Sequence, residues 1–271
     1  MNYKALICPI CKSKLDGDEK VCRCENNHTF DLARQGYLNL LLSSKQAHGD
    51  NKQMTSARRS FLSGGYYSPL CQMLCEKANE YVGEGAVLID CGCGECYYTD
   101  AIERSLKSAD KNVTFYGFDI SKEAIIFGAK RSRSLSLLVS GVYHMPFQSE
   151  SADMLFSIFS PFALDEFLRV LKKGGILFSV IPARKHLWSL KKAIYDTPYE
   201  NEVADYALNG FSLEEKIEVK NIISLSGEDL QNLFMMTPYY YRTSQKDKDK
   251  IAKLSSLDVE TEFELLIYRK A

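Results

Sequence analysis

The feature that most constrains the fold of this chain is an alternation of short apolar runs with amphipathic segments between residues 86 and 195. Strands and helices that alternate in this way form a mostly parallel sheet with helices on both faces. We therefore expect a doubly wound α/β domain. The strands are predicted at residues 86–90, 113–119, 135–139, 153–159, 175–181, 216–224 and 262–269, and the helices at residues 95–107, 122–131, 163–171, 184–195 and 227–235.

Length and composition fit one medium-sized domain with a small N-terminal extension, because 271 residues with 45% hydrophobic content can bury a full core. We expect a cysteine-rich domain at residues 1–40, a linker and helical lead-in at 41–85, and the α/β domain at 86–271. No apolar stretch approaches the roughly 18 to 20 residues of a membrane span, and the N-terminus shows no secretory signal. The protein is therefore expected in the cytoplasm, without a membrane partner and with its nine cysteines reduced.

Four potential metal ligands lie within the first thirty residues. Cys8 and Cys11 form a Cys-x2-Cys pair, and Cys24 and His28 follow with three residues between them. These spacings are typical of structural Cys3His zinc sites, in which four protein ligands leave no position for a water molecule. Cys22 competes for the third position, but its five-residue spacing to His28 is less typical. We expect structural zinc on Cys8, Cys11, Cys24 and His28, which makes residues 1–40 a zinc-binding domain.

A glycine-containing loop follows the first predicted strand of the α/β domain. Asp90 ends this strand, and Gly92, Gly94 and Glu95 lead into a helix. Glycines here let the backbone approach a ligand closely, but the third glycine of a dinucleotide fingerprint is absent. An acid at this point suits a cationic ligand such as S-adenosylmethionine. Asp119 ends the next strand, where a carboxylate can accept hydrogen bonds from ribose hydroxyls.

The chain resembles, along its whole length, the bacterial 23S ribosomal RNA (guanine-N1)-methyltransferases, including tylosin-resistance members. The resemblance implies a Rossmann-like, class I S-adenosylmethionine-dependent methyltransferase fold with a seven-stranded sheet and a small N-terminal zinc-binding domain. It also implies that Tyr67, Gly94, Glu95 and His186 help to hold the cofactor. The matching positions, besides the four zinc ligands, are 30–31, 36–40, 57–62, Tyr67, 90–95, 97–99, Arg184, 186–187, 190–191, Tyr195 and 236–238.

Two positions depart from the pattern of that family. Cys96 stands where the family usually has glycine at the start of the helix, and Ser189 stands where an acid is common. Neither departure removes a predicted ligand. They leave the cofactor prediction in place.

The activity implied by the resemblance is methyl transfer to N1 of a guanine in a hairpin loop of 23S ribosomal RNA. N1 lies on the Watson–Crick edge, so the target guanine must be unpaired or extruded from its stack. Residues 159–162, Phe-Ser-Pro-Phe, follow the fourth strand where an acceptor base is usually presented, and residues 235–242 could form the opposite wall. The general base is not identified. Asp165 and His144 are weak candidates, and a cofactor or pocket role suits His186 better.

The charge of the chain does not by itself indicate RNA binding, because the formal net charge is −1. Residues 1–60 nevertheless carry ten Lys and Arg against six Asp and Glu. Contacts with RNA phosphates and an ordinary solvated surface both fit this local excess. The basic residues that we expect near RNA are Arg34, Lys45, Lys52, Arg58 and Arg59.

Two other functions are compatible with parts of this pattern. The same α/β fold serves methyltransferases that act on small metabolites, although the zinc-binding domain argues against that reading. A non-catalytic zinc-ribbon protein that binds RNA is the second alternative, although the intact set of Asp90, Gly92, Gly94 and Asp119 argues against it. The resemblance also suggests a homodimer and, for its tylosin-resistance members, a link to antibiotic resistance.

Overall fold

Two sheets are present in the part of the chain that the computed structural model describes, which is residues 1–18, 20–42, 51–202 and 205–271. Three short N-terminal strands form a small antiparallel sheet, and eight strands form a large one. In chain order the strands are β1 (Leu15–Gly17), β2 (Val21–Cys24), β3 (Thr29–Asp31), β4 (Tyr37–Asn39), β5 (Val87–Cys91), β6 (Thr114–Asp119), β7 (Ser136–Val139), β8 (Ala152–Ile158), β9 (Leu171–Pro182), β10 (Phe211–Ser226) and β11 (Ser256–Lys270).

Helices connect most of the strands of the large sheet, and three of them lie between β10 and β11. None of the helices in the described residues is long and apolar enough to cross a membrane. In chain order they are α1 (Lys52–Ser63), α2 (Ser68–Tyr81), α3 (Tyr97–Ser108), α4 (Lys122–Arg131), α5 (Leu164–Val170), α6 (Trp188–Ile194), α7 (Gly227–Met235), α8 (Tyr239–Arg242) and α9 (Gln245–Ala252).

The order of the large sheet, β10-β11-β9-β8-β5-β6-β7-β4, determines where a ligand can bind. Strands β4 to β9 within this sheet pair in parallel, and β11 and β10 add an antiparallel pair of strands at one side. The chain runs outward from β5 through β6 to β7, then returns to the other side of β5 as β8. Such a reversal opens a crevice at the carboxyl ends of the strands, which is where open α/β sheets bind their ligands.

Both faces of the large sheet are covered, and each buries its own hydrophobic cluster. Successive residues of a strand point to opposite faces, so Leu88 packs in one cluster and its neighbour Ile89 in the other. Helices α2 and α3 cover the Leu88 face through Leu70, Leu74 and Ile102, among others. Strands buried on both sides have continuous apolar sequences, and this explains why the sequence pattern located them.

The predicted fold class is confirmed, but the predicted seven-stranded sheet is wrong by one strand. Tyr37–Asn39 forms an eighth strand, β4, which pairs in parallel with β7 and aligns Leu38 with Leu138. Three residues are too few to give a recognisable alternation. Tyr37 and Leu38 are nevertheless buried, so the hydrophobic contact of these side chains stabilises β4 at the sheet edge.

Most of the other predicted elements lie close to those of the structure. The helix predicted at 227–235 has those bounds, and the helical lead-in is α1 and α2, which the loop containing Gly64 and Gly65 separates. Helix α9, in the charged segment 244–253, is absent from the predicted elements. Residues 43–50 of the predicted linker and helical lead-in at 41–85, with Lys45, lie outside the described residues.

The N-terminal residues pack against the large sheet as well as forming their own. The Ile7 amide donates to the Pro146 carbonyl at 2.9 Å, and the Gln148 amide donates to the Ala5 carbonyl at 2.9 Å. Leu6 is fully buried in the same hydrophobic cluster as Phe147. The division into residues 1–40, 41–85 and 86–271 stays a prediction, and its first boundary falls directly after a strand of the large sheet.

Helices α3 and α4 approach each other where the sequence departs from the family pattern. Cys96 precedes α3 in the left-handed region, with φ of 63°. Its Sγ lies 2.5 Å from the position that a Cβ would take on Gly128. Because Gly128 has no side chain, it leaves the space that the Cys96 side chain fills.

This contact predicts that Gly128→Ala destabilises the protein, although alanine is favoured over glycine inside a helix by about 1 kcal/mol. The added methyl group overpacks the contact, and we expect a loss of about 1 to 3 kcal/mol in the free energy of unfolding. Urea denaturation measures this loss. In a Cys96→Gly background the same substitution should be neutral or stabilising, and a stabilising Gly128→Ala in the unmodified chain would contradict the proposed contact.

Candidate cofactor site and metal centre

The four predicted zinc ligands lie together at one end of the small sheet. Their ligand atoms are all within 4.8 Å of one another. Cys11 Sγ lies 3.6 Å from Cys24 Sγ, and His28 Nδ1 lies 3.4 Å from Cys24 Sγ. A tetrahedron with metal–sulfur distances of about 2.3 Å has edges of roughly 3.7 Å. The donor set and its spacing therefore fit a zinc ion held by protein ligands alone.

Cys22, the alternative third ligand, is not part of this cluster. Its side chain is fully buried in the hydrophobic cluster beneath the small sheet. Burial raises the pKa of Cys22 to about 11, so this thiol stays protonated. In contrast, hydrogen bonds from Ser13 and Asn26 lower the pKa of Cys11 to about 5, which favours the thiolate that binds metal. The geometry supports Cys24 over Cys22.

We predict that the purified protein contains about one zinc ion per chain, as a Cys3His site requires. Cys24→Ser should lose the metal because a ligand is removed. Cys22→Ala should retain it, and alanine is preferred to serine in this control because a hydroxyl would be buried among apolar side chains. Elemental analysis of the two variants measures the difference. Metal retained in Cys24→Ser and lost in Cys22→Ala would show that the third ligand is Cys22.

Asp119 and the glycine loop meet where the parallel strands β5 and β6 end. Asp119 accepts hydrogen bonds from the Gly94 amide at 3.0 Å and the Ser121 amide at 2.8 Å, which orient its carboxylate. Gly92 has φ of +82°, and a Cβ there would lie 2.6 Å from Cβ of Ser160. Only glycine avoids both the strain and the clash at residue 92. Open space surrounds the corresponding position of Gly94, so a ligand can approach this backbone.

Buried polar atoms without a hydrogen-bond partner concentrate at this crevice. In the described part of the chain four side-chain atoms have this property, and three of them are Asp90 Oδ1, Glu95 Oε1 and Tyr98 Oη. Leaving such an atom unpaired costs about 1 to 3 kcal/mol. Three of them around one loop indicate a site whose missing partners a bound ligand supplies.

Each of the two carboxylates among these groups is hydrogen-bonded through one of its two oxygens. Asp90 is 2% exposed and accepts a hydrogen bond from Thr99 Oγ1 at 2.6 Å. Burial outweighs this bond and raises the pKa of Asp90 to about 7. Glu95 pairs with Arg131 at 2.6 Å, but burial still raises its pKa above the ordinary range. Both acids therefore retain an oxygen for a cationic ligand.

Tyr67 and His186 lie beside the crevice, where both rings pack on Phe263, with centroids 4.8 and 4.6 Å from its ring. His186 Nδ1 accepts a hydrogen bond from the Glu262 amide at 3.2 Å, so the proton of the neutral ring is on Nε2. Burial lowers the pKa of His186 to about 3. His186 is therefore a neutral hydrogen-bond donor and a poor general base at neutral pH.

The other residues singled out in the sequence lie outside the crevice or support its walls. Asp165 and His144 are exposed and make no contact with the glycine loop among those described. Ser189 donates to the Glu260 carboxylate through both its amide and its hydroxyl, each at 2.8 Å. An acid at position 189 would face Glu260, so serine suits this environment.

Sequence reasoning missed three residues of the site: Tyr98, Thr99 and Arg131. Thr99 and Tyr98 were noted only as part of a matching run after the glycine loop. The sequence signal that could identify Tyr98 and Thr99 is their place one turn beyond the glycine loop. Polar side chains there lie near the end of the strand, because the first turn of the helix returns to it. Arg131 lies 36 residues beyond Glu95 in the chain, and no local pattern connects the two.

Comparison with known proteins agrees with this geometry. Residues 6–46 match the family described as "RlmA, N-terminal", a zinc ribbon, and residues 89–179 match the family described as "Methyltransferase domain". The second match spans β5 to β9, with the glycine loop and Asp119. The fold and the site define a class I, S-adenosylmethionine-dependent methyltransferase with an N-terminal zinc ribbon.

Relatives match over most of the chain. The 23S rRNA (guanine(748)-N(1))-methyltransferase of Streptomyces fradiae is 29% identical and covers 92% of this chain and 89% of its own. Two further relatives carry the name "putative 23S rRNA (guanine-N(1)-)-methyltransferase", and each is 27% identical to this chain. The one from Bacillus subtilis covers 100% of this chain and 99% of its own. The one from Micromonospora griseorubida covers 88% of this chain and 87% of its own. The resemblance to the 23S rRNA (guanine-N1)-methyltransferases is confirmed.

The pKa of Asp90 predicts pH-dependent cofactor binding. Below about pH 7 the free protein holds Asp90 neutral, and a cationic ligand favours the ionised form, so affinity should rise with pH. Between pH 8 and pH 6 we expect the affinity for S-adenosylhomocysteine to fall about tenfold, as one titrating group gives. Calorimetry on the protein and on Asp90→Asn measures this, and the variant should bind more weakly without this pH dependence. If the affinity of the unmodified protein does not change with pH, Asp90 does not bind the ammonium group of the ligand.

Proposed function

We propose that this protein transfers the methyl group of S-adenosylmethionine to N1 of a guanine in 23S ribosomal RNA. The observation that carries the proposal is the group of unpartnered buried polar atoms around a glycine loop at the reversal point of the sheet. S-adenosylmethionine offers both an ammonium group and a carboxylate, which such atoms can satisfy. The names of the relatives and the ribbon in front of the domain support ribosomal RNA as the substrate.

The residues that would hold the cofactor divide according to its chemistry. Asp119, fixed by two backbone amides, suits the ribose hydroxyls, and Gly92 and Gly94 allow the backbone to approach. Asp90 and Glu95 suit the ammonium group. The resemblance adds Tyr67 and His186, which form the neighbouring wall. When bound, the cofactor supplies an electrophilic methyl group, and the protein has to place the acceptor nitrogen in line with it.

The acceptor guanine is best placed against Phe159, directly after β8. Phe159 is 43% exposed, has φ of 54°, and packs on Phe263 with ring centroids 5.2 Å apart. A left-handed backbone at an aromatic residue is uncommon and turns its ring out of the strand direction. An extruded base can stack on such a ring. Phe162, the other aromatic residue of 159–162, is 37% exposed and packs on Phe167 instead, with ring centroids 5.0 Å apart.

The chemistry at the acceptor depends on removing the N1 proton of guanine. His186 does not serve as the base, because its Nδ1 lone pair is occupied and its Nε2 carries a proton. Hydrogen-bond donors near the deprotonated guanine would stabilise the charge that moves to O6. Positioning of the nitrogen and exclusion of water contribute the remainder of the acceleration.

The zinc ribbon and α1 would bind the RNA backbone. Arg34, Lys52 and Arg59 are exposed, and phosphate contacts from such residues position RNA without reading its sequence. Arg58 is less suited to this role, because it is half-buried and donates to the Met236 carbonyl at 3.1 Å. A hairpin loop as the target, a homodimer, a cytoplasmic location and a role in macrolide resistance rest on the resemblance and belong to this proposal.

The test is transfer of a tritiated methyl group to ribosomal RNA from a strain that lacks the enzyme. The same assay with a pool of small metabolites provides the comparison. We expect label in the 23S RNA and a primer-extension stop at one guanine, because methylation of N1 blocks base pairing. Label in the metabolites alone would show a small-molecule methyltransferase, and no transfer to either would exclude the proposed activity.

The position of Phe159 predicts a specific loss of RNA methylation on substitution. Phe159→Ala removes a stacking partner worth about 1 to 3 kcal/mol, so kcat/KM for RNA should fall about fivefold to about 150-fold. Phe159→Tyr keeps the aromatic face and should retain activity. The affinity for S-adenosylhomocysteine, measured by calorimetry, should not change in either variant. Full activity of Phe159→Ala would exclude the stacking role.

A further inference from the structure

The hydroxyl of Tyr98 has no assigned role, although it is one of the buried polar atoms without a partner. The ring is partly exposed, but the Oη atom is buried. Burial raises the pKa of Tyr98 well above its usual value, so the hydroxyl stays protonated and can donate a hydrogen bond. A buried donor without an acceptor is costly, and the site therefore lacks an acceptor at this point.

The surroundings of Tyr98 indicate which charge that acceptor carries. Tyr98 lies in the first turn of α3, with its ring 5.0 Å from the ring of Tyr97 and 6.5 Å from that of Phe159. Charged or titratable groups that influence it include Tyr67, Cys71 and Arg58. Arg58 brings a positive charge near the hydroxyl, and a positive charge favours an anionic oxygen as the acceptor.

The unpartnered atoms of the crevice thus fall into two kinds. Asp90 Oδ1 and Glu95 Oε1 can accept hydrogen bonds, whereas Tyr98 Oη can donate one. The methionyl end of S-adenosylmethionine is a zwitterion, and it requires acceptors for its ammonium group and donors for its carboxylate. A site built from Asp90 and Glu95 alone would have no donor for the carboxylate. Tyr98 supplies that donor.

We propose that the Tyr98 hydroxyl binds the carboxylate of the methionyl end of the cofactor, opposite the ammonium group held by Asp90 and Glu95. This inference rests on the proposed function, because it requires an S-adenosylmethionine site in the crevice. It makes Tyr98 a positioning residue, which fixes the methionyl end and with it the direction of the methyl group.

The experiment compares two ligands that differ in the methionyl end. S-adenosylhomocysteine carries the amino and carboxylate groups, whereas 5′-methylthioadenosine keeps the nucleoside and lacks both. Calorimetry should show that Tyr98→Phe weakens S-adenosylhomocysteine about tenfold, as loss of a hydrogen bond to a charged group does, and leaves methylthioadenosine unchanged. Tyr97→Phe is the matched control and should bind both ligands normally. Asp119→Ala, which removes the ribose contact, should weaken both.

Each other outcome overturns the inference in a distinct way. Equal weakening of both ligands by Tyr98→Phe would mean that the hydroxyl only supports the shape of the crevice. Unchanged affinity for both, with a lower kcat on RNA, would place the hydroxyl against the acceptor base. If the unmodified protein binds neither ligand, the cofactor site itself is wrong, and the proposed function fails with it.

Discussion

The parallel pairing of β5 with β6 on one side and β8 on the other is the constraint on which the rest of the structure depends. It brings the ends of three strands to one crevice: Asp90 and Asp119 lie at the ends of β5 and β6, and Phe159 directly follows β8. The same pairing buries the Asp90 carboxylate at the bottom of the crevice. A buried acid with an unpaired oxygen reduces the stability of the free protein. A cationic ligand that pairs with this oxygen would restore the lost stability.

Much of this arrangement could be predicted from the sequence, because strands buried on both faces have continuous apolar runs. Helix α4 could also be predicted from the sequence, because Ser121 is a favourable N-cap residue and accepts a hydrogen bond from the Ala124 amide. The strand β4 was not, because three residues carry no periodic signal and only their pairing with β7 makes them a strand. The unpartnered hydroxyl of Tyr98 could not be predicted from the sequence, for another reason. An aromatic residue in a helix is usually part of the core, and only the positions of its neighbours show that its polar atom lacks a partner.

The choice between Cys22 and Cys24 shows how a spacing argument and the geometry reach the same answer by different means. Cys22 pairs with Phe30 across β2 and β3, and it is buried beneath the small sheet. Cys24 is the last residue of β2, and its amide donates to the His28 carbonyl at 3.1 Å. That bond closes the turn that brings the histidine ring beside the Cys24 thiol. The three-residue spacing is the length of this turn, so it carries structural information that the five-residue spacing from Cys22 does not.

Positions where the chain departs from the family pattern are matched by their neighbours, and this keeps the crevice intact. The thiol of Cys96 occupies space that Gly128 leaves open, and Ser189 donates two hydrogen bonds to Glu260. The N-terminal ribbon is held in a comparable way. Leu6 and Phe147 share one hydrophobic cluster, and β4, within the residues that match the ribbon family, extends the large sheet. A ribbon fixed to the sheet edge holds its basic residues at a constant distance from the crevice. RNA bound through its phosphates would then present its target base at one place, where Phe159 lies.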